Sequence, residues 1–323
     1  MGGPDGRLST RGRALRWLAA ATCLGMLLVL VMGAAVTNTG SAAGCGRSWP
    51  LCNGQFVPEF TVATAIEYSH RAVTGLESLL VVSLTMAMIW LWRHERTPVV
   101  LAVLMLATLL LQAALGAGAV LWPQSALMLA THFGVSLVAF ASTFLSAVFV
   151  WERERDDRAG QPRASQPLVP RWFRNFTLAV TAYVLVVVYL GAYVRHADVS
   201  LACLDWPLCN GQVVPPLDGA TGIVFAHRVA ALGAVILLGI LAYRAREVQI
   251  GATAAAYAAT FGVLQALSGA VIVWTRLGLF STLLHAGLMG VLFASMTLVL
   301  MRALHSPELS AYRSGVFERP GVA

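Results

Sequence analysis

The stretch CGRSWPLCNGQ at Cys45–Gln55, followed by EYSHR at Glu67–Arg71, is written a second time. The second copy is CLDWPLCNGQ at Cys203–Gln212, followed by HR at His227–Arg228. Trp49, Cys52, Asn53, Gly54, His70 and Arg71 all recur at a constant offset of 157, as Trp206, Cys209, Asn210, Gly211, His227 and Arg228. A match of that length marks an internal duplication, which has to be read before any single motif. Each copy carries a cysteine pair, spaced C-x6-C and then C-x5-C, ahead of a His-Arg dipeptide that opens an apolar run.

Those apolar runs decide the fold class. The 323 residues are 58% hydrophobic and 11% charged, against about 25% charged in soluble domains. Eight runs are long enough for a bilayer, which takes about 20 residues each. They lie at roughly 16–36, 64–92, 98–121, 127–150, 172–194, 220–243, 250–273 and 279–302. The reading is an all-α integral membrane protein whose eight transmembrane helices form two tandem, pseudo-symmetric four-helix bundles. The N-terminal half covers 1–150, a polar cytoplasmic linker 151–171, the C-terminal half 172–305 and a cytoplasmic tail 306–323. Four spans per half give both halves the same topology, a parallel repeat about an axis along the membrane normal. The first span has a counterpart in the repeat (Gly33-Ala34-Ala35-Val36 against Gly191-Ala192-Tyr193-Val194) and exceeds the 7–15 residues of a signal h-region, so it is expected to be retained.

The basic residues set the orientation. Arg7, Arg11, Arg13 and Arg16, then Arg93 and Arg96, six arginines from Arg153 to Arg174, Arg244 and Arg246, and Arg302, Arg313 and Arg319 fall on one side; only Arg47, Arg195 and Arg276 fall on the other. By the positive-inside rule both termini are cytoplasmic and both cysteine loops face outward. The expected location is a bacterial cytoplasmic membrane. The net charge of +7 follows from this distribution, and nucleic-acid binding is not expected. In an outward compartment the pairs Cys45/Cys52 and Cys203/Cys209 suggest disulfides or a thiol redox couple. Cys23, in an apolar run, reads as a small buried hydrophobe.

Of seven histidines, His94 and His305 sit in cytoplasmic flanks and His196 at the outer end of the fifth span, all read as solvated. The other four, His70, His132, His227 and His285, lie in the even-numbered spans at matching outer depth. His132 and His285 share an offset of 153 with Gln112-Ala113/Gln265-Ala266 and Gly116/Gly269. An ionisable residue inside a span is a functional candidate by default, and imidazoles on facing helices are a standard way to hold haem iron. The pattern points to one haem per half, His70 with His132 and His227 with His285. Arg71 and Arg228 stand where they can pair with a haem propionate or snorkel to lipid headgroups. A structural zinc site is a poorer fit, because the cysteines lie in aqueous loops and the histidines inside the spans.

The duplication also makes differences informative. Glu67 lies three residues before His70, on the same helix face, and its counterpart is Val224. One half therefore has a carboxylate beside its histidine, suited to proton transfer, and the other does not. Glu77, seven residues past His70, has Ala234 as its counterpart; a proton relay and an interhelical hydrogen bond are both open for it.

Taken together, these features resemble haem A synthase, over nearly the whole chain. The resemblance rests on eight spans in two halves, the C-x6-C and C-x5-C outer pairs, Glu67-x-x-His70-Arg71 in span two, and His132, His227 and His285 in spans four, six and eight. It implies an oxidoreductase that converts the ring methyl of haem O to the formyl group of haem A in two steps. Haem O or haem A as substrate or product would sit between His70 and His132, and a permanent haem b between His227 and His285. Glu67 would be the essential carboxylate, Cys45/Cys52 the redox-active pair, and Cys203/Cys209 a stabilising disulfide. Expected partners are the haem O substrate, membrane lipid, and a haem O synthase, quinone or thiol-redox protein. The competing reading is a quinol-linked di-haem b electron carrier with no chemistry on the haem, for which a carboxylate on one side only has no use.

Overall fold

A computed structural model describes residues 10–59, 61–159 and 168–305. Its elements are α1 (Thr10–Asn38), a short 3-10 turn η1 (Ser41–Ala43), α2 (Val62–Trp92), α3 (Arg96–Leu121), α4 (Ala126–Ala159), α5 (Arg171–His196), α6 (Gly219–Val248), α7 (Ala252–Trp274) and α8 (Leu279–His305). All eight α-helices are long and apolar enough to cross a membrane, and no named strand occurs among the described residues. The chain is an eight-span, all-α membrane protein.

The helices outrun the apolar runs at several ends, for a physical reason. Backbone groups leaving the hydrocarbon still need partners, and a further helical turn supplies them, so polar residues join the helix. α4 continues through Trp151–Ala159, into the segment read from sequence as the start of the linker. Residues 160–167 of that linker, and the tail 306–323, lie outside the described residues.

Within residues 10–159, α1 packs on α2, α2 on α3, α3 on α4, and α4 returns to α1. Helices α5 to α8 repeat the same closed circuit. The two circuits meet through α1, α4, α5 and α8. Glycines make room along this seam: a Cβ on Gly134 of α4 would run into the Tyr189 ring of α5, and one on Gly290 of α8 would sit 3.3 Å from Leu27 of α1 and 3.5 Å from Phe140 of α4. The faces away from the seam carry large exposed side chains such as Leu24, Leu28, Leu79, Trp90, Ile236 and Tyr257, which suits lipid rather than water. At the cysteine-loop end the Arg195 guanidinium of α5 donates to Asn38 Oδ1 at 3.0 Å and to the Thr37 carbonyl at 3.3 Å. At the other end Arg153 pairs with Glu95 at 2.7 Å, and Arg302 pairs with Glu152.

Candidate haem sites and the loops above them

Both repeated loops fold alike, because their Asn-Gly dipeptides demand it. Cys52 and Gln55 exchange backbone hydrogen bonds at 3.0 Å, around Asn53 (φ 52°) and Gly54 (φ 78°). Cys209 and Gln212 do the same around Asn210 (φ 53°) and Gly211 (φ 78°). Two consecutive positive φ values make the tight turn for which Asn-Gly is the preferred pair. The Asn53 side chain donates to the Gly44 carbonyl and Asn210 to that of Ala202. In each loop the cysteine sulfurs are at bonding distance, 2.06 Å for Cys45–Cys52 and 1.97 Å for Cys203–Cys209.

The arginine after each histidine fastens its loop to the helix below. Arg71 Nη1 donates to the carbonyls of Ser48 and Leu51, both at 2.9 Å. Arg228 Nη1 donates to those of Asp205 at 2.9 Å and Leu208 at 2.5 Å, the same two loop positions. The structure thus assigns these guanidiniums a partner that propionate and headgroup readings from sequence had missed. The second Nη separates the halves. Arg71 Nη2 pairs with Glu67 Oε1 at 2.6 Å, whereas Arg228 Nη2 donates to the Cys203 carbonyl at 3.2 Å.

Glu67 is the junction of the first half. Its carboxylate is only 4% exposed, and its Oε2 accepts the Cys45 backbone N–H at 2.7 Å. The buried acid is tied at once to the disulfide loop, to Arg71 and, one turn on, to His70. Val224 fills the corresponding place with an apolar side chain packed among Val194, Cys203 and Cys209. The second loop has its own acid instead: half-buried Asp205 accepts the N–H of Asn210 at 2.5 Å and of Gly211 at 2.8 Å. These N–H donors, Gly211 foremost, hold the Asp205 carboxyl below the usual carboxylate range. Ser48 is its counterpart and accepts only the Gly54 N–H, at 3.2 Å.

The histidines of each half lie within electrostatic reach of one another. His132 interacts electrostatically with His70, and His285 with His227. Every ring lies against a glycine of the preceding helix. A Cβ built on Gly33 would stand 3.4 Å from His70 Nε2, on Gly116 3.5 Å from His132 Cε1, on Gly191 2.6 Å from His227 Cε1, and on Gly269 3.6 Å from His285 Cε1. This notch for each imidazole explains the repeated glycines. His196 is not simply solvated: it is half-buried and interacts with His132. Among the described residues no three His, Cys, Asp or Glu side chains gather to hold a bare metal ion. Donors that come in twos suit an iron that brings its own in-plane ligands, as haem does.

Two of the four rings have a partner in the protein: His70 interacts with the Val29 backbone and His285 with Ser268, while Nδ1 of His227 is buried without one. Ser268 Oγ lies 2.8 Å from the Gln265 carbonyl and 2.7 Å from His285 Nδ1, and bridges the two. With Nδ1 engaged by Ser268, Nε2 is the ring nitrogen of His285 left open to a metal. At the matching position in the first half stands Leu115, and His132 Nδ1 is buried without a partner. Gln112 donates to Ser136, whose own hydroxyl donates to the His132 carbonyl at 2.9 Å. The Gln112–Ser136 contacts thus reach the backbone of His132 and leave its ring free. Sequence reading missed Ser268; the signal was there in the repeat, as Ser268 against Leu115.

Residues 57–297 match the COX15-CtaA family, described as cytochrome oxidase assembly protein. A protein named heme A synthase from Geobacillus kaustophilus is 40% identical over 302 residues, covering 91% of this chain and 93% of that protein. Those of the same name from Lysinibacillus sphaericus (38% over 304 residues, covering 91% and 96%) and Symbiobacterium thermophilum (40% over 282 residues, covering 85% and 91%) are similarly related. The resemblance drawn from the motifs alone is thereby borne out, and the chain belongs to the COX15-CtaA family.

Proposed function

We propose that this chain is a haem A synthase, oxidising the ring methyl of haem O to the formyl group of haem A. Two successive two-electron oxidations of one carbon give first an alcohol and then a hydrated aldehyde, which loses water. The substrate haem is held between His70 and His132, and a resident haem b between His227 and His285. When bound, haem b supplies one-electron transfer to or from the substrate half. The cysteine loops and the four histidines face outward, with both termini cytoplasmic, as the arginine distribution requires.

The observation that carries this reading is the one-sided carboxylate. Glu67 sits one turn from His70, buried and held in place by the Cys45 N–H and Arg71; Val224 holds the same place beside His227. A carboxylate oxygen has more than one acceptor site, so an anchored Glu67 can still accept a proton from the reacting carbon or stabilise positive charge there. In this reading Cys45/Cys52 is the redox-active pair and Cys203/Cys209 the structural one.

Haem extraction from the purified protein tests the proposal. Haem b together with haem O or haem A is expected. Haem b alone, from a host that makes both precursors, would move the protein to the di-haem electron carriers.

A further inference from the structure

The face of α2 that carries Glu67 and His70 continues as a polar column. Glu67, Glu77 and Thr85 are buried along it, and Thr74 and Ser78 lie between them, their hydroxyls donating to the carbonyls of His70 and Thr74 at 2.8 Å. The matching positions of α6 are Val224, Ala231, Ala234, Val235 and Ala242. Every polar side chain of the column other than the histidine is thus apolar in the second half. Glu77 is its centre. It is 2% exposed, and neither carboxylate oxygen has a hydrogen-bond partner. The carboxylate rests over Gly25 of α1, where any Cβ would collide with it.

A charge buried without a partner is strongly unfavourable in a protein interior and more so in a bilayer. Such an acid holds its proton until a positive charge appears nearby, and gives it up then. Oxidation of a haem iron adds that charge. Seven residues at 1.5 Å rise put Glu77 about 10 Å from the His70 level, close enough for two charges to couple in a low-dielectric interior. Few other groups compete. α2 packs against α1, α3 and η1. On α1 the ionisable residue facing Glu77 is Cys23, with Arg13 and Arg16 near the helix start; α3 has none beyond Arg96, and η1 has none.

We propose that Glu77 is a proton-loading site of the N-terminal half: its carboxylate takes up one proton for each electron gained by the haem held there, and releases it when that haem is reoxidised. The electron comes from a one-electron reductant, the C-terminal haem in the reading above. Charge in the substrate pocket then stays balanced through each electron step of the methyl oxidation. Thr74 is the hydroxyl placed between Glu77 and the His70 turn.

The inference rests on the haem site proposed above, and one set of measurements separates the two. The purified protein with its haems is titrated with a chemical reductant over a range of pH. The N-terminal haem is followed as haem A, whose conjugated formyl group sets its visible band apart from haem b. In the wild type its midpoint potential is expected to fall as pH rises, toward the limit of about 59 mV for each tenfold drop in proton concentration. Glu77→Gln, nearly isosteric, should flatten that slope, and Glu77→Asp should restore it. The reduced-minus-oxidised infrared spectrum should show a carboxylic-acid C=O band that Glu77→Gln removes. A slope and band unchanged in Glu77→Gln, with haem still bound, overturn the inference alone. Absence of any haem from the N-terminal half overturns the site and the inference together.

Discussion

Ser268 shows how much one hydroxyl can decide. Its Oγ hydrogen-bonds His285 Nδ1 at 2.7 Å and so orients the ring, and partners of this kind are worth about 10–100-fold in metal affinity. Ser268→Ala is therefore expected to raise the rate of haem b transfer to a haem-scavenging protein by about that factor, with Ser268→Thr recovering most of it. An unchanged rate would show that the hydrogen bond does not hold the cofactor. Glu67 makes a complementary prediction. Glu67→Val copies the second half, where Val224 packs under the loop and Arg228 turns to the Cys203 carbonyl. Arg71 can make the same turn toward Cys45, so the variant should fold and keep haem b. Haem A formation should drop by at least the factor of about 10²–10⁴ that a positioned proton-transfer group provides. Retained haem A formation would remove Glu67 from the chemistry. At this scale legibility was uneven. The histidines and Glu67 stood out because ionisable groups are rare in apolar spans. Ser268 did not, since a serine that bonds its own helix backbone is common there, and only its contact with a distant ring distinguishes it.

Among the helices and loops, the odd-numbered helices act as walls for the imidazoles of the even-numbered ones. The four glycine notches differ in clearance, which gives a graded test. Only at Gly191 does the built Cβ come closer than van der Waals packing allows, 2.6 Å from His227; at Gly116 and Gly269 the distances are 3.5 and 3.6 Å. Gly191→Ala should displace the ring and destabilise by about 1–3 kcal/mol, as overpacking does, with a changed visible spectrum of haem b. Gly116→Ala and Gly269→Ala should be neutral or gain up to about 1 kcal/mol from helix propensity. Thermal unfolding midpoints and haem spectra in detergent check the order, and equal effects at all four positions would count against the notch. The second loop carries a pH dependence. Asp205 is held below its ordinary titration range by the Gly211 and Asn210 N–H groups. Its contribution to loop stability is therefore complete above the unfolded carboxylate value, near 3.9, and is lost as pH falls through the lower folded one. Melting curves of wild type and Asp205→Ala should differ at neutral pH and converge in acid; a gap that persists at low pH would assign the effect to something other than the charge. The helices themselves were legible from hydropathy, because each span must be both long and apolar. Their ends were not: the turns of α4 past Trp151 are polar, and are helical because the chain must satisfy its backbone on leaving the membrane.

In the whole molecule, two circuits of four helices share a seam, and duplication followed by divergence explains what differs across it. The seam is fitted rather than merely apolar, with Tyr189 seated over Gly134 and Leu27 and Phe140 over Gly290; Arg195 ties α5 to the end of α1. The couples His70/His132 and His227/His285 each lie within their own circuit. Each half should then hold its haem on its own residues. His285→Ala removes one ligand of the proposed resident haem, and leaves His70, His132, Gly33 and Gly116 as they were. Purified His285→Ala protein is expected to lose haem b while still binding haem O or haem A. Haem A production should fall because the electron route, rather than the substrate site, is broken. His132→Ala should do the reverse, keeping haem b and losing the substrate haem. The haem-to-protein ratio of each variant, measured by extraction, decides the matter. Loss of both haems from either single variant would mean that the seam transmits the damage and that the halves fold around their cofactors as one unit.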